Sequence, residues 1–294
     1  MLACCQAYML KHLLLELPAT HQFKDLTEEK CKKILIKAIC NILLNSKEQP
    51  TFRIVLLDKL NDVEKALEAA ETETRENDDA EQMETSMNHQ KTNDLSVPNV
   101  TNGEELSPDL FHERLVIQDF ETIEEVEKFY SENFGVLGNR YGILLHLYSV
   151  LFTKGIQNLL NEISDTSEPL IHSSFGYGSQ SLINLMLTGR AVQHVFDNDQ
   201  DIGGMKLKGI DKQSEIGFIT LMEQLRYCTV GSFYKNPKHP IWVIGSETHL
   251  TVIFSNEKSL VSPETPAEHA RRVFGQYDTE NSSESTITSI LSEF

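Results

Sequence analysis

One histidine in this chain lies between two apolar, β-rich segments, where its imidazole could carry out acid–base chemistry. Ile241–Ile244 and Leu250–Phe254 flank the residues Gly245–His249, and this pattern predicts a hairpin near the middle of a sheet. His249 then lies where the turn becomes the second strand, so a rigid element would hold its ring. A histidine in that position can act as a general base or orient a nucleophile. Taken alone, the pattern is also typical of a capped surface or half-buried histidine, which is the commoner case.

The cysteines are the other residues whose type could support chemistry. They are five in number and show no metal-ligand spacing. We therefore expect free thiols in a reducing compartment, most of them in the core, and a cytoplasmic or nuclear protein. We expect neither a metal nor an organic cofactor, since thiol chemistry would need none. The five are Cys4, Cys5, Cys31, Cys40 and Cys228.

Two further stretches look like sites and are better explained as structure. Ser173–Gln180 is rich in glycine and serine and precedes a predicted helix, so its backbone could cradle a phosphate. It lacks the lysine of a phosphate-binding loop and the glycine spacing of a dinucleotide site, and we expect it instead to let backbone pass close to an extended partner. The acidic turn Asp197–Asp199 lacks the ligand pattern of a calcium loop and predicts an ordinary turn.

Composition narrows the classes of partner. The chain has 294 residues, of which 40% are hydrophobic, and a net charge of −18, which argues against a nucleic-acid partner. Its longest apolar run, Ile143–Phe152, is too short to span a bilayer, which takes about 20 residues, so we expect no membrane partner. We expect no secretion signal, because the opening residues lack a basic segment followed by an apolar one.

The distribution of charge divides the chain into four predicted parts. Eleven acidic and two basic residues lie between Glu68 and Glu105, which accounts for half of the net charge. Such a polar stretch buries too little apolar surface to offset its chain entropy. We therefore predict a helical first part of one domain at residues 1–65, an acidic disordered insertion at 66–107, the remainder of the domain at 108–277, and a frayed tail at 278–294.

Hydrophobic periodicity predicts the elements around His249. Thr27–Asn45 predicts a helix capped by Thr27, and Tyr141–Thr153, apolar nearly all round, predicts a buried central helix. Gln6–Leu15 predicts a helix that the chain enters without a preceding cap or loop, so we expect the chain to lack its beginning. Arg190–Phe196 predicts a strand, and Phe218–Leu225 predicts a helix.

Several stretches, taken together and in order, resemble the MINDY family of deubiquitinases, in the branch of types three and four. The resemblance runs from Gln6 to about Tyr277 and skips the acidic insertion. It includes the run Glu-Thr-His-Leu-Thr-Val that contains His249. The stretches that carry the resemblance are Gln6–Leu14, Gly142–Gly155, Ser164–Leu170, Gly178–Gly189, Ala191–Asp197, Ile241–Phe254 and Ala270–Phe274.

The resemblance implies a fold and a reaction. The fold would be a papain-like α+β cysteine-protease core with a central antiparallel sheet and buried helices. The reaction would be thiol-dependent hydrolysis of isopeptide bonds in lysine-linked polyubiquitin, with a preference for chains joined through ubiquitin's forty-eighth position. The resemblance assigns His249 as the catalytic histidine and ubiquitin and polyubiquitin chains as partners. The loop at Gly176–Gly178 could then border a channel for ubiquitin's Gly-Gly tail.

The same resemblance leaves the nucleophile in question. The family's catalytic cysteine and oxyanion glutamine lie before the position that Gln6 matches and would fall upstream of Met1; the family's C-terminal extension is also missing. Cys4 and Cys5 match positions that the family buries further along the first helix. A shift of about five residues along a helix displaces a thiol by roughly 8 Å, too far to exchange a proton with the same histidine. The alternative is a catalytically inactive ubiquitin-binding module or adaptor.

Overall fold

The structure is a computed structural model that describes residues 1–16, 26–58, 106–246 and 249–261. Helices and short strands alternate through these residues, which confirms the predicted α+β class. None of the helices in these ranges is long and apolar enough to cross a bilayer. The helices are α1 Leu2–Glu16, α2 Glu28–Ser46, α3 Pro108–Glu113, α4 Ile123–Glu132, α5 Gly142–Lys154, α6 Ile156–Glu162, α7 Gln180–Thr188, α8 Leu221–Gln224 and α9 Ser232–Lys235, with 3₁₀ turns at Phe134–Val136 and Lys258–Val261.

The described strands form small sheets rather than one large one. β1 pairs with β2 and β3 with β4, in both cases antiparallel. In the third sheet β6 lies between β5, to which it is parallel, and β7, to which it is antiparallel. The strands are β1 Phe52–Leu57, β2 Leu115–Phe120, β3 Gln200–Ile202, β4 Met205–Leu207, β5 Gly217–Thr220, β6 Ile241–Gly245 and β7 Leu250–Phe254.

The predicted hairpin is confirmed as β6 and β7. Trp242 pairs with Ile253, and Gly245 pairs with Leu250 beside the turn. β6 is central and fully paired, whereas β7 forms an edge of the described sheet. The hairpin therefore holds the backbone of His249 in a rigid position. The strand that follows it, β7, pairs with β6 on one side only in the described sheet.

Helix α2 forms where its sequence predicts. Thr27 caps it, since its side-chain oxygen accepts a hydrogen bond from the backbone of Lys30. Glu28 and Glu29 follow in the first turn, where the helix dipole favours negative charge. Its buried stripe, which includes Ile39 and Leu43, packs against α1, α5 and α7. The main hydrophobic core therefore forms around this helix.

Helix α5 is buried on most of its surface and holds β1 through side-chain hydroxyls. Ser149 Oγ accepts a hydrogen bond from Val55 N at 2.9 Å, and Thr153 Oγ1 accepts one from Arg53 N at 2.9 Å. Such bonds satisfy backbone groups on the side of β1 that does not face β2. The predicted buried central helix is confirmed, and its start lies beside the site described below.

Helix α7 follows the glycine-rich stretch, as the sequence predicts. Ser179 caps its start by accepting a hydrogen bond from Leu182 N. Gly189 ends it with a positive φ of 79°, a conformation that favours glycine, and a side chain there would collide with the carbonyl of Asn45 at the end of α2. The glycine therefore allows the end of α7 to pack closely against the end of α2.

The predicted strand at Arg190–Phe196 is wrong, because side chains occupy the backbone groups that a neighbouring strand would use. Asn184 Nδ2 donates hydrogen bonds to the carbonyls of Val192, at 2.8 Å, and His194, at 3.0 Å. The backbone of Ala191 donates to the Glu162 carboxylate at 2.7 Å. The segment is an irregular connection fastened to two helices.

The predicted helix at Phe218–Leu225 is wrong in its first half. Phe218 lies in β5 and pairs with Val243, and its side chain is buried. A helix begins only at Leu221, after Thr220 caps it. Helical spacing of four apolar residues could not reveal that the first of them pairs with a distant strand.

Much of the predicted acidic insertion, and all of the predicted tail at 278–294, lie outside the described residues. At the far end of the insertion, Ser107 caps α3 by accepting a hydrogen bond from Leu110 N. The predicted four-part division stays a prediction.

Candidate functional site

The turn that carries His249 is fixed by Ser246. The backbone N–H of Ser246 donates to the His249 carbonyl at 2.9 Å, and the Ser246 hydroxyl donates to the same carbonyl at 3.2 Å. The His249 N–H in turn lies 3.2 Å from Ser246 Oγ and donates to it. The backbone of His249 is therefore held at the end of β6 and β7, while the residue itself is exposed.

His249 lines a cleft with a volume of about 630 Å³. The first residues of α1, from Met1 to Ala3, line the same cleft, as do Tyr141 before α5 and the loop at Gly176–Gly178. These segments are far apart in sequence, and the fold brings them to one opening. The histidine is thus neither sealed in apolar packing nor remote from the leading end of α1.

The two thiols nearest the start of α1, those of Cys4 and Cys5, lack the lowered pKa that activates a cysteine as a nucleophile. Cys4 is completely buried, and this burial raises the pKa of its thiol. Burial and the neighbouring Cys4 together raise the pKa of Cys5 to about 12. Neither residue lines the cleft. A nucleophilic cysteine needs a lowered pKa and access to substrate, so the environment of both residues is that of core packing.

The glycine-rich loop is a tight hairpin between α6 and α7. His172 N donates to the Tyr177 carbonyl at 2.8 Å, and Gly176 N donates to the His172 carbonyl at 2.8 Å. Gly176 has a φ of 67°, which suits glycine and turns the chain back toward the cleft. Ser179 N, which begins the capped helix α7, donates to the Leu170 carbonyl. The loop is therefore anchored at its base and presents its tip at the mouth of the cleft.

The acidic turn after Phe196 is a structural turn, as the sequence predicts. The Asp197 carboxylate accepts hydrogen bonds from Ser232 N, Ser232 Oγ and Phe233 N at 2.8, 2.6 and 2.9 Å. Asp197 therefore holds the start of α9. No group of three or more His, Cys, Asp or Glu side chains within the described ranges is arranged to hold a metal ion.

Sequence reasoning missed the residues that form the far wall of the cleft. These residues are Arg140 and Tyr141, which line the cleft just before α5. No local pattern distinguishes these residues from ordinary loop positions. Their role follows only from the packing of α5 and α7 beside α1.

Comparison with known proteins gives the class and then the family. The model of the family described as "Deubiquitinating enzyme MINDY-3/4, conserved domain" matches residues 1–290. The class is therefore that of the deubiquitinating enzymes. Within it, the chain belongs to the MINDY-3/4 family, which confirms the resemblance drawn from the sequence.

Individual relatives agree with this assignment. The chain is 50% identical over 297 residues to a ubiquitin carboxyl-terminal hydrolase MINDY-3 homolog of Drosophila melanogaster, covering 95% of the chain and 52% of that protein. It is 43% identical over 280 residues to ubiquitin carboxyl-terminal hydrolase MINDY-3 of Homo sapiens, covering 95% of the chain and 60% of that protein. A probable MINDY-4 hydrolase of Mus musculus is 37% identical over 126 residues.

The chain thus spans between 52% and 60% of the MINDY-3 relatives given above. No solved structure matches it.

Proposed function

We propose that this chain supplies the general base and the substrate cleft of a thiol-dependent deubiquitinase, with His249 as the catalytic histidine. One observation carries the proposal: His249 shares an open cleft with the leading residues of α1 and with the Gly176–Gly178 hairpin. A cleft bordered by glycines suits the Gly-Gly tail of ubiquitin, since residues without side chains allow a close approach of backbone. The membership in a deubiquitinase family supports the same reaction.

The reaction needs two rounds of proton transfer through His249, each of which is an acceptance followed by a return. The imidazole accepts the proton of a cysteine thiol, whose sulfur attacks the isopeptide carbonyl and forms a C–S bond as the C–N bond breaks. His249 returns that proton to the departing lysine amine. Water then attacks the thioester, with His249 accepting a proton from the water and returning it to the sulfur as the C–S bond breaks.

The nucleophile is assigned to neither Cys4 nor Cys5. Cys4 is buried and Cys5 is partly buried, the thiol pKa of each is raised, and neither residue lines the cleft. These same properties support the second candidate function, a ubiquitin-binding module or adaptor without catalysis. In that case the cleft would hold the tail of ubiquitin but no bond would break.

One assay separates the two functions. The purified protein is incubated with tetraubiquitin joined through lysine, with and without a thiol alkylator, and products are resolved by electrophoresis. Cleavage that the alkylator and His249→Ala each abolish supports the protease. Capture of tetraubiquitin without cleavage supports the binding module, and cleavage that survives His249→Ala overturns the assigned role of His249.

His112→Ala is the matched control. His112 is also an exposed histidine but hydrogen-bonds to Pro108 and Tyr148 instead of lining the cleft, so its loss should leave cleavage intact. Linkage preference is tested in the same assay with diubiquitins of different linkages. The family resemblance leads us to expect the fastest cleavage for the linkage through the forty-eighth position of ubiquitin.

A further inference from the structure

The tip of the hairpin at Leu170–Ser179 carries three stacked rings that solvent reaches. The rings of His172 and Phe175 are 5.1 Å apart at an interplanar angle of 27°, and those of Phe175 and Tyr177 are 5.8 Å apart at 18°. Phe175 is 68% exposed and Tyr177 is 47% exposed. We call these three residues the aromatic stack. Exposed aromatic rings that lie together contribute little to the hydrophobic core, and such patches often mark a surface that binds a partner.

The aromatic stack is held in place by the backbone that carries it. The hairpin hydrogen bonds between His172 and Tyr177, and between Gly176 and His172, fix the positions from which the rings project. Ser174 N also donates to His172 Nδ1 at 3.3 Å, which restrains that ring. Rings that are already ordered lose little side-chain entropy when a partner covers them, and aromatic residues of this kind dominate the energetics of protein interfaces.

The aromatic stack is continuous with the cleft. Tyr177 belongs to both, and the glycines on either side of it line the cleft with His249. Phe175, one residue before Gly176, lies outside the cleft lining. The aromatic stack is therefore within reach of the body of a substrate whose tail lies beside Tyr177.

We propose that the aromatic stack docks the folded body of the ubiquitin whose Gly-Gly tail occupies the cleft. The inference rests on the proposed function and names the substrate contact for it. A protein surface fits these rings better than a nucleic acid does, because a chain with a net charge of −18 repels phosphates. The same charge opposes pairing of the stack with a second copy of this chain.

The test is a titration of isotope-labelled monoubiquitin with the protein, read out by chemical-shift changes. Phe175→Ala should weaken binding by at least about tenfold, as expected for loss of a central aromatic contact. Tyr227→Ala is the matched control, since Tyr227 is 79% exposed yet belongs to neither the stack nor the cleft, and it should bind like the wild-type protein. Phe175 is exposed, so its replacement should not unfold the protein.

A second measurement keeps this inference distinct from the proposed catalysis. Cleavage of a short Gly-Gly peptide reporter, which has no ubiquitin body, should be unchanged in Phe175→Ala and lost in His249→Ala. Ubiquitin binding without any cleavage would overturn the catalytic role and leave the docking surface standing. Equal ubiquitin affinity for the wild-type protein and Phe175→Ala would overturn the docking surface. So would a sedimentation result in which Phe175→Ala loses self-association but keeps its ubiquitin binding.

Discussion

The cleft at His249 and the interior around α5 both contain a histidine, but the polar groups of the cleft are exposed and those of the interior are buried. At the cleft, Ser246 and His249 are exposed, and the turn is held through backbone contacts. Along α5, polar side chains lie inside the protein and must find partners there. Those buried polar side chains are His146, Ser149, Thr153 and Lys154.

Three of the four buried side chains have partners that explain their presence. Ser149 and Thr153 bind the backbone of β1, and Lys154 Nζ contacts Glu48 Oε1 at 2.6 Å and Glu162 Oε1 at 2.7 Å. The fourth, His146, has no hydrogen-bond partner at either ring nitrogen among the residues that the structure describes, and burial lowers its pKa to about 4. It therefore stays neutral near neutral pH.

The two histidines are of the same residue type and differ in exposure. Exposure at the cleft makes His249 a candidate general base, whereas burial makes His146 a core residue. His249 is exposed at a cleft, which is the setting that a proton-transferring group requires. His146 lies within a run of apolar residues, and adding a proton to it would require charge in a nonpolar interior. Changes at the cleft should therefore alter activity and spare the fold, whereas changes in α5 should do the reverse.

The largest effect should come from His249→Ala. Loss of a general base slows a reaction by about 10²- to 10⁴-fold, and we expect polyubiquitin cleavage to fall toward the upper end of that range. The free energy of unfolding, measured with urea, should change by less than about 0.5 kcal/mol, because the residue is exposed. A large loss of stability in His249→Ala would contradict the expectation that changes at the cleft alter activity and spare the fold.

Lys154→Met tests the opposite region. The side chain is completely buried, and Lys154 also donates to the Gly189 carbonyl at 2.8 Å. Without Lys154, the Gly189 carbonyl loses this donor and Glu162 keeps Arg190, at 3.6 Å, as an ion-pair partner. The free energy of unfolding should therefore fall by about 3 kcal/mol. Lys32→Met is the control: Lys32 pairs with Glu28 at 2.7 Å on the surface, and its loss should leave the urea midpoint of unfolding almost unchanged.

His146 should make stability depend on pH. Its pKa is about 4 in the folded protein and near 6.5 when unfolded, so the unfolded state binds a proton first as the pH falls. The contribution to stability is intact above about pH 6.5 and is lost progressively between pH 6.5 and 4, a change of about 3 kcal/mol. His146→Leu should remove this part of the pH dependence. Urea unfolding of both proteins from pH 7 to pH 4 measures the difference, and parallel curves would sink the prediction.

The sequence was sufficient for the parts of the fold that depend on local pattern. Thr27 and Ser179 cap the predicted helices, and the hairpin at β6 and β7 follows from alternating β-rich segments around a turn. The apolar surroundings of His146 already indicated a buried helix. Each of these features is decided within a few residues, so one sequence carries the signal.

The missing parts depend on contacts between distant segments. Nothing near Phe218 indicates that it pairs with Val243, and nothing near Val192 indicates that the Asn184 side chain would take its carbonyl. For the site, the turn at His249 could be predicted, but the approach of Arg140 and Tyr141 to the same cleft could not. A residue's position relative to a cleft is a property of the packed molecule.

The smallest effect, and the finest test of the comparison, concerns Ser246. Its hydroxyl joins the backbone N–H and carbonyl of His249 and so sets where the imidazole projects. A lost hydrogen bond of this kind is worth about 1 kcal/mol, so Ser246→Ala should lower kcat for cleavage by about fivefold with little change in KM. Ser246→Thr, which keeps the hydroxyl, should restore kcat. If Ser246→Ala instead changed KM alone, Ser246 would be contacting substrate, and the turn would do more at the cleft than hold the histidine in position.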